Sequence, residues 1–184
     1  MSKLDDAQAR TAATYNAAAD AYDEPANSFW ERFGRRTIER LSLKRGSRIL
    51  DVCCGSGASA IPAAETVGPE GSVLGIDLAE KLLERARRKA DARRLTNVEF
   101  RIGNMLDLPL QNSRFDAVVC VFGIFFVPDM VAAVKSLWSV VSPGGKLAIT
   151  TWGPRFFEPA TTTFWNSIQE TRPDPVPVAE KAEG

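Results

Sequence analysis

Residues 48–57, Arg-Ile-Leu-Asp-Val-Cys-Cys-Gly-Ser-Gly, constrain the fold more than any other stretch of the chain. An apolar strand reaches an acid, Asp51, and then breaks into a tight turn of small residues. A second apolar segment, 72–77, also ends in an acid, Asp77. Between them the sequence predicts a helix over 57–66 and a Gly-Pro-Glu-Gly turn at 68–71. Strand, glycine turn, helix, strand, acid is the layout of a nucleoside-binding α/β fold.

The rest of the chain continues the alternation. Further strands are predicted at 98–102, 115–121 and 146–152, and further helices at 79–93, 128–141 and 159–170. The helix at 79–93 is strongly patterned, with Ala79, Leu82, Leu83, Ala86 and Ala90 on one side. Two helices, at 4–22 and 28–42, precede the first strand; the second has Phe29, Trp30, Phe33, Thr37 and Leu41 on its apolar side. The first strand, predicted at 48–53, is apolar throughout, which suits a parallel sheet covered on both faces. The expected fold class is α/β, a doubly wound, mostly parallel sheet in the order 3-2-1-4-5. Its ligand crevice lies where that order reverses, at the carboxyl ends of strands one and four. The expected organisation is an N-terminal helical cap at 1–45, an α/β core at 46–153, a helix within 154–171 and a disordered tail at 172–184.

Composition narrows the chemistry. None of the 184 residues is histidine, which excludes His-based triads, His metal sites and a His general base; no metal is expected. Lys plus Arg (23) balances Asp plus Glu (23), so no strong field draws the chain to nucleic acid or to an anionic membrane. The longest uncharged apolar run, 117–128, is too short to span a bilayer, and the polar start lacks a signal-peptide apolar region. Three cysteines, two of them adjacent, make a poor disulfide framework, so a reduced cytoplasm is the expected compartment.

The turn separates two kinds of nucleoside ligand. Gly55 and Gly57 remove the Cβ atoms that would block a close approach of backbone to ligand. A dinucleotide site needs Gly-x-Gly-x-x-Gly to seat a pyrophosphate. Here Cys53 stands two residues before Gly55, and Ala60 takes the last position counted from Gly55, which the looser form tolerates. Asp51 would repel a pyrophosphate but suits a ligand bearing an ammonium and a sulfonium, as S-adenosylmethionine does. Asp77 follows Gly57 by 20 residues, about the spacing at which an acid accepts from both ribose hydroxyls. It also suits the N-cap of the next helix. Cys53 and Cys54 read as small buried residues rather than nucleophiles. Arg85, Arg87, Arg88, Lys89, Arg93 and Arg94 read as a solvated helix face with cations toward its C-terminus.

With these pieces in order, the chain resembles the class I S-adenosylmethionine-dependent methyltransferases. It is most similar to the small-molecule group that includes ubiquinone and menaquinone C-methyltransferases. The resemblance rests on residues 49–57, on Val73-Leu-Gly-Ile-Asp-Leu78, and on Gly103-Asn-Met-Leu-Asp-Leu-Pro-Leu110. It continues in 115–122 with Phe126-Val-Pro-Asp129, and in Ser142-Pro-Gly-Gly-Lys146; in all it covers roughly 28–153. It implies methyl transfer from S-adenosylmethionine to a small-molecule acceptor by in-line displacement, leaving S-adenosylhomocysteine. It implies that Asp51, Cys53, Gly55, Ser56 and Gly57 form the turn around the methionine portion and that Asp77 binds ribose. Leu78 would lie against adenine, with Asn104 and Met105 bracketing it. Cys120 and Val121 would border the methyl-donor end. Tyr15 and Tyr22 sit on the helix that often covers the cofactor in such enzymes; their other reading is aromatic packing onto the sheet. Phe125 and Phe126 either line an apolar substrate pocket or pack in the core. Family members usually add two more strands beside strand five, which this chain lacks. The aromatic stretch 153–170 is therefore expected to cap that edge or to form a homodimer surface. The alternatives are a catalytically incomplete S-adenosylmethionine-binding protein and an NAD(P)-dependent oxidoreductase.

Overall fold

The computed structural model describes residues 6–108, 114–153 and 158–171. The expected disordered tail at 172–184, and Phe156 and Phe157 of the aromatic stretch, lie outside the described residues. The chain divides into two compact units, 1–151 and 152–184.

In the first unit, β1 (Arg48–Val52), β2 (Ser72–Asp77), β3 (Val98–Ile102), β4 (Phe115–Val121) and β5 (Val141–Thr150) form one sheet. Its order is β3-β2-β1-β4-β5, as the sequence predicts, and every pairing is parallel. Successive β1 side chains point to opposite faces. Ile49 joins a core with Ile38, Leu41, Ile61, Leu83 and Phe100, while Leu50 and Val52 join another with Phe115, Val118 and Leu137. Both faces are dry, which is why β1 shows no polar alternation.

The helices are α1 (Asp6–Ala18), α2 (Phe29–Leu41), α3 (Ala60–Val67), α4 (Glu80–Ala92) and α5 (Met130–Ser139). All five predicted inner residues of the α4 region are buried. Asp129 starts α5 by accepting the Ala132 N–H at 2.9 Å, an N-cap of the usual kind. α3 begins three residues later than predicted, because Gly57 takes a positive φ of 87° and Ser59 gives its hydroxyl to Asp51.

Two local readings need correction. The sequence predicts a turn at Ser142–Gly145 before strand five. Instead Val141 already pairs with Phe115, and Lys146 pairs with Ala117, so 142–145 form an irregularity inside one long strand. The inner face of α2 is also rotated from the predicted one. Gly34, Thr37, Ile38 and Leu41 are buried, whereas Phe33 is 38 % exposed. Thr37 and Thr150 hydroxyls meet at 2.7 Å, tying α2 to β5.

The second unit contains α6 (Ala160–Thr171), on which Phe164 and Trp165 are exposed and pack edge to face. Among the described residues, no helix is long and apolar enough to cross a membrane.

Candidate functional site

A cavity of about 90 Å³ lies at the carboxyl end of the sheet. Its walls come from the end of β1 (Cys53, Gly55), the end of β2 (Asp77, Leu78, Ala79) and the end of β4 (Val121, Phe122). Thr11, Ala12, Tyr15, Tyr22 and Trp30 of the N-terminal segments close it, with Leu82, Gly103 and Phe126. β1 and β4 lie side by side, and the chain leaving them crosses in opposite directions, from β1 to β2 and from β4 to β5, which opens the crevice here.

Eight of the predicted site residues therefore line one space: Cys53, Gly55, Asp77, Leu78, Val121, Tyr15, Tyr22 and Phe126. The others are placed around it. Gly57 backs the turn, where a Cβ would lie 3.0 Å from Ile61. Ser56 points away from the cavity and donates to Asp23 at 2.6 Å. Met105 and Cys120 are buried in the core beneath. Asn104 donates to Gln8 of α1 at 3.0 Å and accepts the Leu106 N–H at 3.0 Å. Phe125 is 37 % exposed and packs on Phe126.

Sequence reasoning missed Trp30, Phe122 and the role of the basic helix. Trp30 stacks on Tyr22 with rings 5.6 Å apart and nearly parallel, and it meets the edge of Phe122 at 5.3 Å. Arg85 and Lys89 are not a solvated face. Both bond to Asp23, at 2.8 and 2.6 Å. The only sequence signal for this was an acid directly after Tyr22.

Among the described residues, Asp77 is the single charged group on the cavity wall. One of its oxygens accepts the Gly55 N–H at 2.8 Å and the other accepts the Ala79 N–H at 2.9 Å. Leu78 N–H adds a third backbone bond, which leaves the carboxylate room for a further donor. Burial raises the Asp77 pKa despite those bonds. Burial likewise raises the Tyr22 hydroxyl, with Tyr15 and Asp77 adding to it.

Asp51 lies under the turn, fully buried. Ser59 donates to one oxygen at 2.7 Å and the other has no partner among the described residues. Burial pushes its pKa up to about 7, against the Ser59 bond and with Asp77 adding to the rise. The native state thus holds this proton to about pH 7, while the unfolded chain releases it near pH ~3.9. Native Asp51 binds more protons across that window, so its contribution to stability falls as pH rises through it. Asp51→Asn is expected to remove this slope. Urea midpoints of both proteins at pH 4.5 and 7.5 check it; a difference between them that does not change with pH would refute the assignment.

Both strand ends carry left-handed backbone without glycine, Cys53 at φ 58° and Phe122 at φ 56°. Such conformations cost about 1–2 kcal/mol each and gather at functional sites. Cys53 fits because Gly123 faces it: a Cβ on Gly123 would fall 2.5 Å from the Cys53 Cβ and 2.8 Å from its sulfur. A hydrogen bond to Cys120, then burial, holds the Cys53 thiol protonated. Gly123→Ala should cost about 2–3 kcal/mol by overpacking. Cys53→Gly alone should be nearly neutral, and in the double variant it should recover more than half of that loss. Additive losses in urea denaturation would show that the two positions do not share this space.

Among the described residues, no group of three His, Cys, Asp or Glu side chains could hold a metal ion. What the site can take is a ligand with hydroxyl donors for Asp77 and positive charge for the aromatic faces. Among the described residues, its wall offers no cation to a pyrophosphate.

Residues 4–164 match the ubiE/COQ5 methyltransferase family. A demethylmenaquinone methyltransferase of Geobacillus sp. (strain WCH70) is 39 % identical over 111 residues, 60 % of this chain and 47 % of that protein. Another, from Listeria welshimeri, is 38 % identical over 117 residues, 64 % and 50 % of the two chains. This chain spans about half the length of these curated relatives. Among solved structures, a SAM dependent methyltransferase from Aquifex aeolicus aligns with a TM-score of 0.63 at 24 % identity, over 85 % of this chain and 86 % of that one. That likeness is one of fold.

Proposed function

The chain belongs to the ubiE/COQ5 methyltransferase family, and on that premise we propose that it transfers a methyl group from S-adenosylmethionine to a small, ring-bearing acceptor. One observation carries the reading: among the described residues, Asp77 is the only charge in a cavity otherwise walled by aromatic, apolar and small groups, and it sits beside the glycine turn. The demethylmenaquinone methyltransferases among the relatives support a quinol as the acceptor.

The residues present suit this methyl donor. Asp77 can accept a ribose hydroxyl on its remaining lone pair. Leu78 and Gly103 line the cavity with it. The stacked Tyr22 and Trp30 present π faces to a cation. Asp51 and Asp77 are two buried acids whose charged forms a neighbouring cation would favour. Bound S-adenosylmethionine would supply a methyl group already activated by the sulfonium charge. The chain's own task is then alignment and exclusion of water, for which Tyr15, Phe122 and Phe126 close the wall. With Tyr22 and Cys53 held protonated, neither serves as a base. Three free cysteines support a reducing cytoplasm as its place.

A cavity of about 90 Å³ falls short of the about 300–1,000 Å³ usual for small-molecule sites, so the N-terminal segments move outward to admit a whole cofactor. The test is calorimetric titration with S-adenosylhomocysteine, followed by transfer of labelled methyl from S-adenosylmethionine to a reduced 1,4-naphthoquinone. Binding with transfer supports the reading, and no binding refutes it. Binding without transfer supports the second reading, a cofactor-binding chain that does not complete the reaction.

A further inference from the structure

We infer that Asp23 is a positioning residue for the methyl donor: it clasps the N-terminal segment to the glycine turn and so holds Tyr22 over Gly55. The inference rests on the reading of the cavity as the donor site.

Asp23 follows the short turn at Ala19–Ala21 and directly follows Tyr22. Its side chain is only 15 % exposed. One oxygen accepts from Ser56 Oγ and from Lys89 Nζ, both at 2.6 Å, and the other from Arg85 Nε at 2.8 Å. The three donors come from two different places, the glycine turn and α4. Lys89 also donates to Ser56 Oγ at 3.1 Å and to Glu31 of α2 at 3.3 Å, and Arg85 lies 3.8 Å from Asp20. One carboxylate therefore joins the N-terminal segment, the turn and α4.

This differs from an exposed ion pair, which contributes little. Ser56 is 1 % exposed and stands between Gly55 and Gly57, so its hydroxyl reports directly on the turn's backbone. On the other side, Tyr22 lies so close that a methyl group on Gly55 would be 3.6 Å from its hydroxyl. Asp23 and Tyr22 are neighbours in the chain and grip neighbours in the turn. Fixing one fixes the other. Since the segment must open to admit a ligand, the strength of the clasp sets how much of the time Tyr22 is in place to hold it.

The test compares wild type, Asp23→Asn, Tyr22→Ala and the double variant in binding of S-adenosylhomocysteine, with hydrogen exchange across residues 15–28. Asp23→Asn should weaken binding at least about tenfold, and the double variant should be within about twofold of the weaker single one, because both changes act through one contact. It should also speed exchange across 15–28 at least about tenfold, with Ser56→Ala giving the same pattern in weaker form. Binding by Asp23→Asn within twofold of wild type, or losses that multiply in the double variant, would overturn the inference. If wild type binds no S-adenosylhomocysteine, the functional reading fails separately. The clasp is then judged by exchange alone, and unchanged exchange in Asp23→Asn overturns it.

Discussion

Gly34→Ala is expected to destabilise the chain by about 3 kcal/mol or more, although alanine is the better helix former by about 1 kcal/mol. The reason is steric. A Cβ on Gly34 would fall 2.5 Å from the Ala58 carbonyl carbon, closer still to its oxygen, and 2.9 Å from the Ser59 nitrogen. All three are backbone atoms, so no side chain can turn aside. α2 would have to lift away from the glycine turn, loosening the buried Ile38 and Leu41 and the Thr37–Thr150 bond. Gly46→Ala is the control. Gly46 has φ 80° but, among the described residues beyond its chain neighbours, no atom within 4 Å of its Cβ position, so only backbone strain of about 1 kcal/mol applies. Urea denaturation of both variants decides it: Gly34→Ala at least as stable as Gly46→Ala would contradict the close packing of α2 on the turn.

Asp77→Ala should weaken S-adenosylhomocysteine binding at least about a hundredfold, the scale for truncating one partner of a buried, hydrogen-bonded charge. The carboxylate has two duties. It accepts the Gly55 and Ala79 N–H groups, which fixes the turn and the start of α4. Its remaining lone pair faces the cavity. Removing it should also lower stability by about 2 kcal/mol, since two buried donors lose their acceptor. S-adenosylmethionine and S-adenosylhomocysteine carry the same ribose, so calorimetry should find both weakened by a similar factor. A loss below threefold for both would mean that the ligand does not lean on Asp77.

The sheet was legible from sequence because burial on both faces leaves a plain mark, short runs such as Ile49-Leu50 and Val118-Val119 with no polar alternation. α4 was legible because a helix half in water repeats its apolar residues every third or fourth position. The glycine turn was legible because few residues tolerate its backbone. What escaped depends on contacts between distant positions. Gly34 carries no side chain to count, so its packing against Ala58 cannot register as periodicity, and the inner face of α2 was assigned to Phe33 instead. Arg85 and Lys89 look like any solvated charges until Asp23 is brought beside them. Trp30 was placed on an apolar helix face, and nothing local distinguishes a wall of the cavity from a wall of the core. Cys53 with a left-handed backbone made sense only once Gly123 stood opposite.

The aromatic contact between Trp30 and Phe122 also bears on how the chain is made. Phe122 is added 92 positions after Trp30 (122 minus 30). At about 5–20 residues per second, Trp30 and Phe33, whose ring also meets Phe122 at 5.5 Å, wait on the order of 5–20 s for this partner. Through that interval they are sticky surface on a nascent chain. Slow synthesis through residues 60–120 should therefore raise the share lost to aggregation, and trigger-type holding chaperones should lower it, even though the finished fold is unchanged.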